Sequence, residues 1–82
     1  MSNIFLNVTN LTGKKLRIEV KSQESVLTLK KQVQAVEGYL LEEIGLVFGG
    51  EVLENDRNMS DYRLQNESSL TLVGLHRNLV NL

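Results

Sequence analysis

The fold of this chain is decided by residues 3–38, NIFLNVTNLTGKKLRIEVKSQESVLTLKKQVQAVEG. Apolar and polar side chains alternate from Asn3 to Thr9 and again from Lys14 to Lys21, which predicts two strands with one buried face each. The link between them contains Asn10 and Gly13, residue types that tolerate positive φ. We therefore expect an antiparallel hairpin.

The hairpin is followed by a predicted helix at residues 25–37. Its first residue, a serine, is a suitable N-cap, because its hydroxyl can accept a hydrogen bond from a free backbone N–H. Gly38 stands where a left-handed residue would end the helix. Three apolar residues recur at helical spacing and predict one core-facing stripe: Val26, Leu29 and Val33.

The remaining elements are short. Residues 44–48 predict a third strand, residues 51–53 a fourth strand after Gly49-Gly50, and residues 69–73 a final strand. The segment between the last two strands predicts a loop with one turn of helix. The order indicates an α+β domain with one helix packed on a mixed four- to five-stranded sheet, with the first and last strands parallel neighbours at its centre.

Composition limits the classes of function. The chain has 82 residues, a formal net charge of −1 and no cysteine. This charge argues against a nucleic-acid-binding or membrane-binding surface, and a disulfide framework or thiolate zinc site would need cysteine. No N-terminal signal pattern and no run of about 20 apolar residues is visible. We expect a cytosolic or nuclear setting.

Three segments in this order and spacing resemble the ubiquitin family: Leu11–Lys14, Gly49–Glu54 and Ser60–Val73. The resemblance covers about residues 3 to 73 and implies the β-grasp fold, in agreement with the periodicity. It also implies a ubiquitin-like domain at residues 1–73, followed by a flexible tail at residues 74–82.

The tail differs from that of ubiquitin, since Gly74 is followed by bulky residues and not by a Gly-Gly terminus. Attachment to a target needs a slim, extended end, for which glycine is suited because it lacks a Cβ. We therefore expect a protein that binds partners without being conjugated. A processed protein modifier is the less favoured alternative.

The resemblance also implies a binding site for ubiquitin-binding domains or proteasomal receptors. Its positions here are Leu11, Val47 and Val73, flanked by Gly50 and Thr71. Strand alternation places Val47 and Val73 opposite to core-facing neighbours, on the outer side of the sheet. An exposed apolar cluster with a polar rim is typical of a binding site; the alternative is an ordinary surface of strand-forming residues.

A second candidate surface is Tyr39, Leu40 and Leu41, directly after the helix. These side chains either complete the core or form a surface for a partner or for self-association. In the second case the chain would be a scaffold or adaptor subunit of a stable complex, of the splicing or ligase type. Two helix residues that fall off the apolar stripe would join that surface: Leu27 and Val36.

Other polar residues receive structural interpretations. Asn55 stands where ubiquitin has an acidic partner for the lysine matching Lys30, so we expect either a replacement acid or a side chain that reaches solvent. Tyr62 is expected to bond backbone groups in its loop. His76 lacks the companions that catalysis or metal binding needs. We expect no enzyme activity, no cofactor and no metal site.

Overall fold

The computed structural model describes residues 3–75. It contains one α-helix, α1, five strands, β1 to β5, and two short 3₁₀ segments. In chain order they are β1 (Asn3–Thr9), β2 (Lys15–Lys21), α1 (Val26–Glu37), a 3₁₀ turn (Leu41–Glu43), β3 (Ile44–Phe48), β4 (Glu51–Val52), a 3₁₀ turn (Met59–Tyr62) and β5 (Ser68–Gly74). The bounds predicted for the helix and strands agree within one residue.

The five strands form one mixed sheet in the order β2-β1-β5-β3-β4. β1 and β5 are parallel, and the other three pairs are antiparallel. The prediction of a mixed α+β sheet with the first and last strands paired at its centre is confirmed. β5 is the last of the described strands and pairs with the first, so this central pairing depends on residues that are far apart in sequence.

The core fills the space between α1 and one face of the sheet. Leu6, Leu29 and Leu46 have no exposed surface, and truncating such a leucine to alanine typically costs about 2–5 kcal/mol. The other apolar side chains of the core are Ile4, Val8, Ile18, Val20, Val26, Val33, Ile44, Leu53, Met59, Leu64, Leu70 and Leu72. Because these strand residues alternate, the opposite face of the sheet is left to solvent.

Both ends of α1 are capped as expected. The Ser25 hydroxyl accepts a hydrogen bond from the Thr28 N–H at 3.2 Å. Gly38 is left-handed, with φ +83°, and its N–H donates to the Gln34 carbonyl at 2.7 Å. These caps satisfy backbone groups that the helix itself leaves unpaired, so the limits of α1 follow from local sequence.

Lys30 departs from the expectation of an acidic partner. The residue is only 5% exposed, and its Nζ donates to Oδ1 of Asn55 at 3.0 Å rather than to an acid. Burial lowers the pKa of the Lys30 ammonium group, because the charged form is poorly solvated there. An amide carbonyl therefore takes the place of the expected carboxylate.

The loop before β5 is held as predicted. The hydroxyl of Tyr62 accepts a hydrogen bond from the backbone N–H of Glu54 at 2.9 Å. Tyr62 also packs against the core, so one side chain fixes the loop from two sides.

The last described residues extend the sheet. Gly74 is the final residue of β5, and the Leu75 N–H donates to the Glu43 carbonyl at 2.8 Å. Ordered pairing thus continues past residue 73. The prediction of a flexible tail falls mainly on residues 76–82, which lie outside the described residues.

Candidate protein-binding surface

A row of paired residues crosses the outer face of the sheet. It runs from Lys15 through Thr9, Thr71 and Val47 to Val52, each residue being the direct partner of the next. Residues that are directly opposite in a sheet present their side chains on the same face. Val47 and Thr71, predicted from separate segments, are therefore neighbours on the side away from α1.

A second row lies beside the first. Val73 pairs with Gly45, two positions from Thr71 and Val47 respectively, and so it shares their face. A Cβ on Gly45 would lie 3.3 Å from Leu75 Cδ2 and 3.4 Å from Val73 Cγ2. Gly45 is buried because these two side chains cover it. The glycine thus lets two apolar side chains lie flat on the sheet.

Leu11 belongs to the same end of the sheet. β1 and β5 run parallel, with Thr9 paired to Thr71; β1 ends at Thr9, and Leu11 lies in the turn that leads to β2. Leu11 follows Thr9 by two residues and Val73 follows Thr71 by two residues. The Leu11 side chain is 45% exposed, which leaves it available to a partner.

These residues form what we call the apolar patch: Leu11, Val47, Val52, Val73 and Leu75. Val52 is 53% exposed, and the other two valines and Leu75 are half-buried. The predicted flanking residues, Gly50 and Thr71, are both exposed. Gly50 lies in the β3–β4 turn with φ +81°, a conformation that favours glycine.

Two members of the apolar patch were not among the predicted site residues. Val52 joins the patch because it pairs with Val47, a register that depends on the Gly49-Gly50 turn. Leu75 joins it by packing over Gly45. Gly45 is the sequence signal that could have predicted the position of Leu75, because a small residue in β3 makes room for a large side chain on the neighbouring strand.

The second candidate surface, residues 39–41, was predicted either to complete the core or to form a surface for a partner. Tyr39 packs against the core, as its structural interpretation predicts, and Leu41 is half-buried. Leu40 is 53% exposed and Val36 is 64% exposed. Two exposed apolar residues therefore lie at the C-terminal end of α1, and the other two predicted residues, Tyr39 and Leu41, are half-buried.

The β1–β2 half of the outer face is arranged differently. The Arg17 guanidinium lies 4.0 Å from the centroid of the Phe5 ring and forms an ion pair with Glu67. Asn7 Nδ2 also donates to Oε1 of Glu67 at 3.1 Å. Hydrogen bonds from Arg17 and Asn7 hold the pKa of the Glu67 carboxyl below its usual value, since they favour the charged form.

The described residues contain no arrangement suited to metal chemistry. Within residues 3–75, no group of three or more His, Cys, Asp or Glu side chains is placed to hold a metal ion. No helix in that range is long and apolar enough to span a membrane. His76 lies outside the described residues, so its predicted lack of companions stays a prediction.

Comparison with known proteins decides the family. The model of the family described as "Ubiquitin family" matches residues 6–77. The chain belongs to the ubiquitin family. The match takes in all but the first residues of β1 and all of β2 to β5, and it includes every residue of the apolar patch.

Three curated relatives illustrate the similarity. The chain is 37% identical over 70 residues to "Ubiquitin-like protein 4B" of Bos taurus, covering 85% of this chain and 42% of the relative. The Homo sapiens protein of that name is 36% identical, with 85% and 40% covered. "Ubiquitin-like protein NEDD8" of Dictyostelium discoideum is 30% identical, with 85% and 91% covered.

These relatives differ in extent. The chain spans about two fifths of the length of the two 4B proteins but nearly all of the Dictyostelium protein. The shared part is the ubiquitin-like domain, so the similarity concerns this domain and not the remainder of the longer relatives.

Proposed function

We propose that this ubiquitin-like domain is a non-enzymatic binding module that recruits ubiquitin-binding domains or proteasome-type receptors through the apolar patch. The setting proposed for this binding is the cytosol or the nucleus. The observation that carries the proposal is the position of Val47, Val52 and Val73 on the face of the sheet opposite α1. These side chains are not needed to enclose the core, yet they retain exposed apolar surface.

The size of the apolar patch fits a weak, reversible partner. Five residues on a small sheet would contribute to an interface below about 1,200 Å², at the low end for protein pairs. In such interfaces a few central anchors carry most of the binding free energy, about 2 kcal/mol or more each. Val47 is the natural anchor, because its direct neighbours in the row are Thr71 and Val52.

The test is a comparison of two matched substitutions. Val47→Asp places a charge at the centre of the apolar patch, and Val36→Asp places it on an exposed valine of α1. We expect Val47→Asp to weaken binding to a panel of purified ubiquitin-binding domains by about thirtyfold or more, as loss of a central anchor does. Isothermal titration calorimetry gives the affinities, and NMR titration should show shifts at Leu11 and Val73.

The control separates this proposal from its main competitor. An adaptor function would use the exposed pair Val36 and Leu40 at the end of α1. Val36→Asp would then disrupt the complex recovered in a pull-down, and Val47→Asp would leave it intact. Receptor binding that survives Val47→Asp would contradict the proposed site.

Binding without attachment is the second part of the proposal. The glycine that follows Val73, Gly74, is paired with Ile44 inside the sheet. A glycine held in a strand does not provide the free, slim end that an activating enzyme needs. We expect intact-mass analysis to detect no thioester with such an enzyme, and formation of one would favour the modifier function instead.

A further inference from the structure

The turn that carries Leu11 is organised around one side chain, that of Asn10. Asn10 is only 7% exposed, although it lies in a turn between two strands. Its Oδ1 accepts three hydrogen bonds: from the Thr12 N–H at 3.0 Å, the Thr12 hydroxyl at 2.9 Å and the Lys14 N–H at 2.8 Å. One carbonyl oxygen therefore holds Thr12 and Lys14, the residues that follow Leu11 in the turn.

The same side chain ties the turn to the helix. Asn10 Nδ2 donates to Oε1 of Glu37 at 3.1 Å, and Glu37 is the last residue of α1. The backbone adds two bonds, from the Asn10 N–H to the Lys14 carbonyl at 2.7 Å and from the Gly13 N–H to the Asn10 carbonyl at 3.0 Å. The turn is thus closed on itself and anchored to a second element.

We propose that Asn10 is a positioning residue that holds Leu11 in the place where a partner meets the apolar patch. Leu11 lies between the two residues that the amide joins, Asn10 and Thr12. This inference rests on the proposed binding function. A flexible turn would have to be ordered when the partner binds, and this loss of conformational freedom weakens binding. The amide of Asn10 orders the turn beforehand.

A different role for Asn10, in general stability, makes different predictions. The apolar core does not include any residue from Asn10 to Lys14. If the amide serves only the fold, its removal should weaken partner binding equally whether or not Leu11 is present. If it positions Leu11, the effect of its removal should depend on the Leu11 side chain.

The first measurement uses the free protein. Backbone ¹⁵N relaxation should give rigid order parameters, about 0.85, at Leu11 and Thr12. In Asn10→Ala these values should fall below about 0.6, the flexible range, while amides of α1 keep their values. Glu37→Gln is the conservative control, since it retains the Oε1 acceptor and should leave the turn rigid.

The second measurement is a double-mutant cycle with a receptor domain that binds the wild-type protein. We expect Asn10→Ala to weaken binding about fivefold to tenfold, but less than about twofold when Leu11→Ala is already present, since residues that act together show non-additive effects. Titrations are run where chemical shifts of the core amides show that each variant is folded.

The outcomes separate the two claims. Order parameters that stay high in Asn10→Ala would overturn the role of Asn10, whatever the receptor does. The positioning role of Asn10 is also overturned if Asn10→Ala weakens binding equally in proteins with and without Leu11→Ala. Failure of the wild-type protein to bind any receptor would instead overturn the proposed function, and with it the positioning role, while the relaxation data would still report on the turn.

Discussion

The β1–β2 and β3–β5 halves of the outer sheet face differ in how far their apolar side chains are covered by other residues of the chain. On the β1–β2 half, the ring of Phe5 is covered by the Arg17 guanidinium, which is itself paired with Glu67. On the β3–β5 half, Val52 is 53% exposed, and Val47 and Val73 are half-buried. The Phe5 ring is thus covered from within the chain, whereas Val52 keeps 53% of its surface exposed.

This difference shows why exposure alone does not identify a binding site. A cation above an aromatic ring is an attractive interaction, so a partner that used Phe5 would first have to displace Arg17. Aliphatic side chains offer no comparable attraction to a cation, and their exposed surface is stabilised mainly by removal from water. We therefore expect partners to select the β3–β5 half.

The largest expected effect of a substitution that tests the difference between the two halves is on the affinity for a receptor. Val52 and Lys15 stand at opposite ends of one cross-strand row. We expect Val52→Asp to weaken receptor binding about tenfold, equivalent to about 1.4 kcal/mol, because it places a carboxylate at the edge of the apolar patch. Calorimetric titration measures the change.

The control for that prediction is Lys15→Asp, which reverses a charge on the other half of the face. We expect its affinity to stay within about twofold of wild type, as is usual for rim positions. A larger loss for Lys15→Asp than for Val52→Asp would show that partners use the β1–β2 half.

A smaller effect is expected on the free energy of unfolding when the Arg17 guanidinium above Phe5 is removed. Arg17→Ala removes the stacked cation and with it the ion pair to Glu67, and we expect the free energy of unfolding to fall by at least about 0.5 kcal/mol, the usual size of such a stack at an exposed site. Urea denaturation provides the measurement. Lys21→Ala, at the exposed end of the same strand, is the matched control. Equal stabilities for the two variants would mean that neither contact of Arg17 stabilises the fold.

The smallest effect is a change in pH dependence. Because Arg17 and Asn7 lower the pKa of Glu67 in the folded state, this carboxylate stabilises the fold above its ordinary pKa, and the contribution is lost as pH falls through the folded pKa. Below about pH 4.5, near the ordinary glutamate pKa, wild type should therefore lose stability more steeply than Glu67→Gln.

Thermal unfolding between about pH 7 and pH 2.5, across the range where carboxylates titrate, measures this slope. The two proteins should converge at the acid end, where Glu67 is protonated in both folded and unfolded states. Val47→Ala should follow the wild-type slope, because the apolar patch has no titratable group. A Glu67→Gln curve parallel to wild type would contradict the assigned contacts.

The local elements of this protein follow directly from its sequence. Alternation marked β1, β2, β3 and β5 within one residue, and the serine and glycine caps marked the limits of α1. These signals are readable because each depends on residues a few positions apart, where backbone geometry fixes the spacing. The family resemblance, and with it Leu11, Val47 and Val73, was likewise visible without coordinates.

The particular side-chain contacts between distant segments were decided by the tertiary structure. Lys30 meets Asn55 across 25 positions, and Arg17 meets Glu67 across 50 positions. Neither pair has a periodic signal, since each depends on strand register and on how α1 lies on the sheet. The cover of Leu75 over Gly45 has the same origin. The sequence alone determined which faces are apolar, and tertiary packing determined which of them stay open.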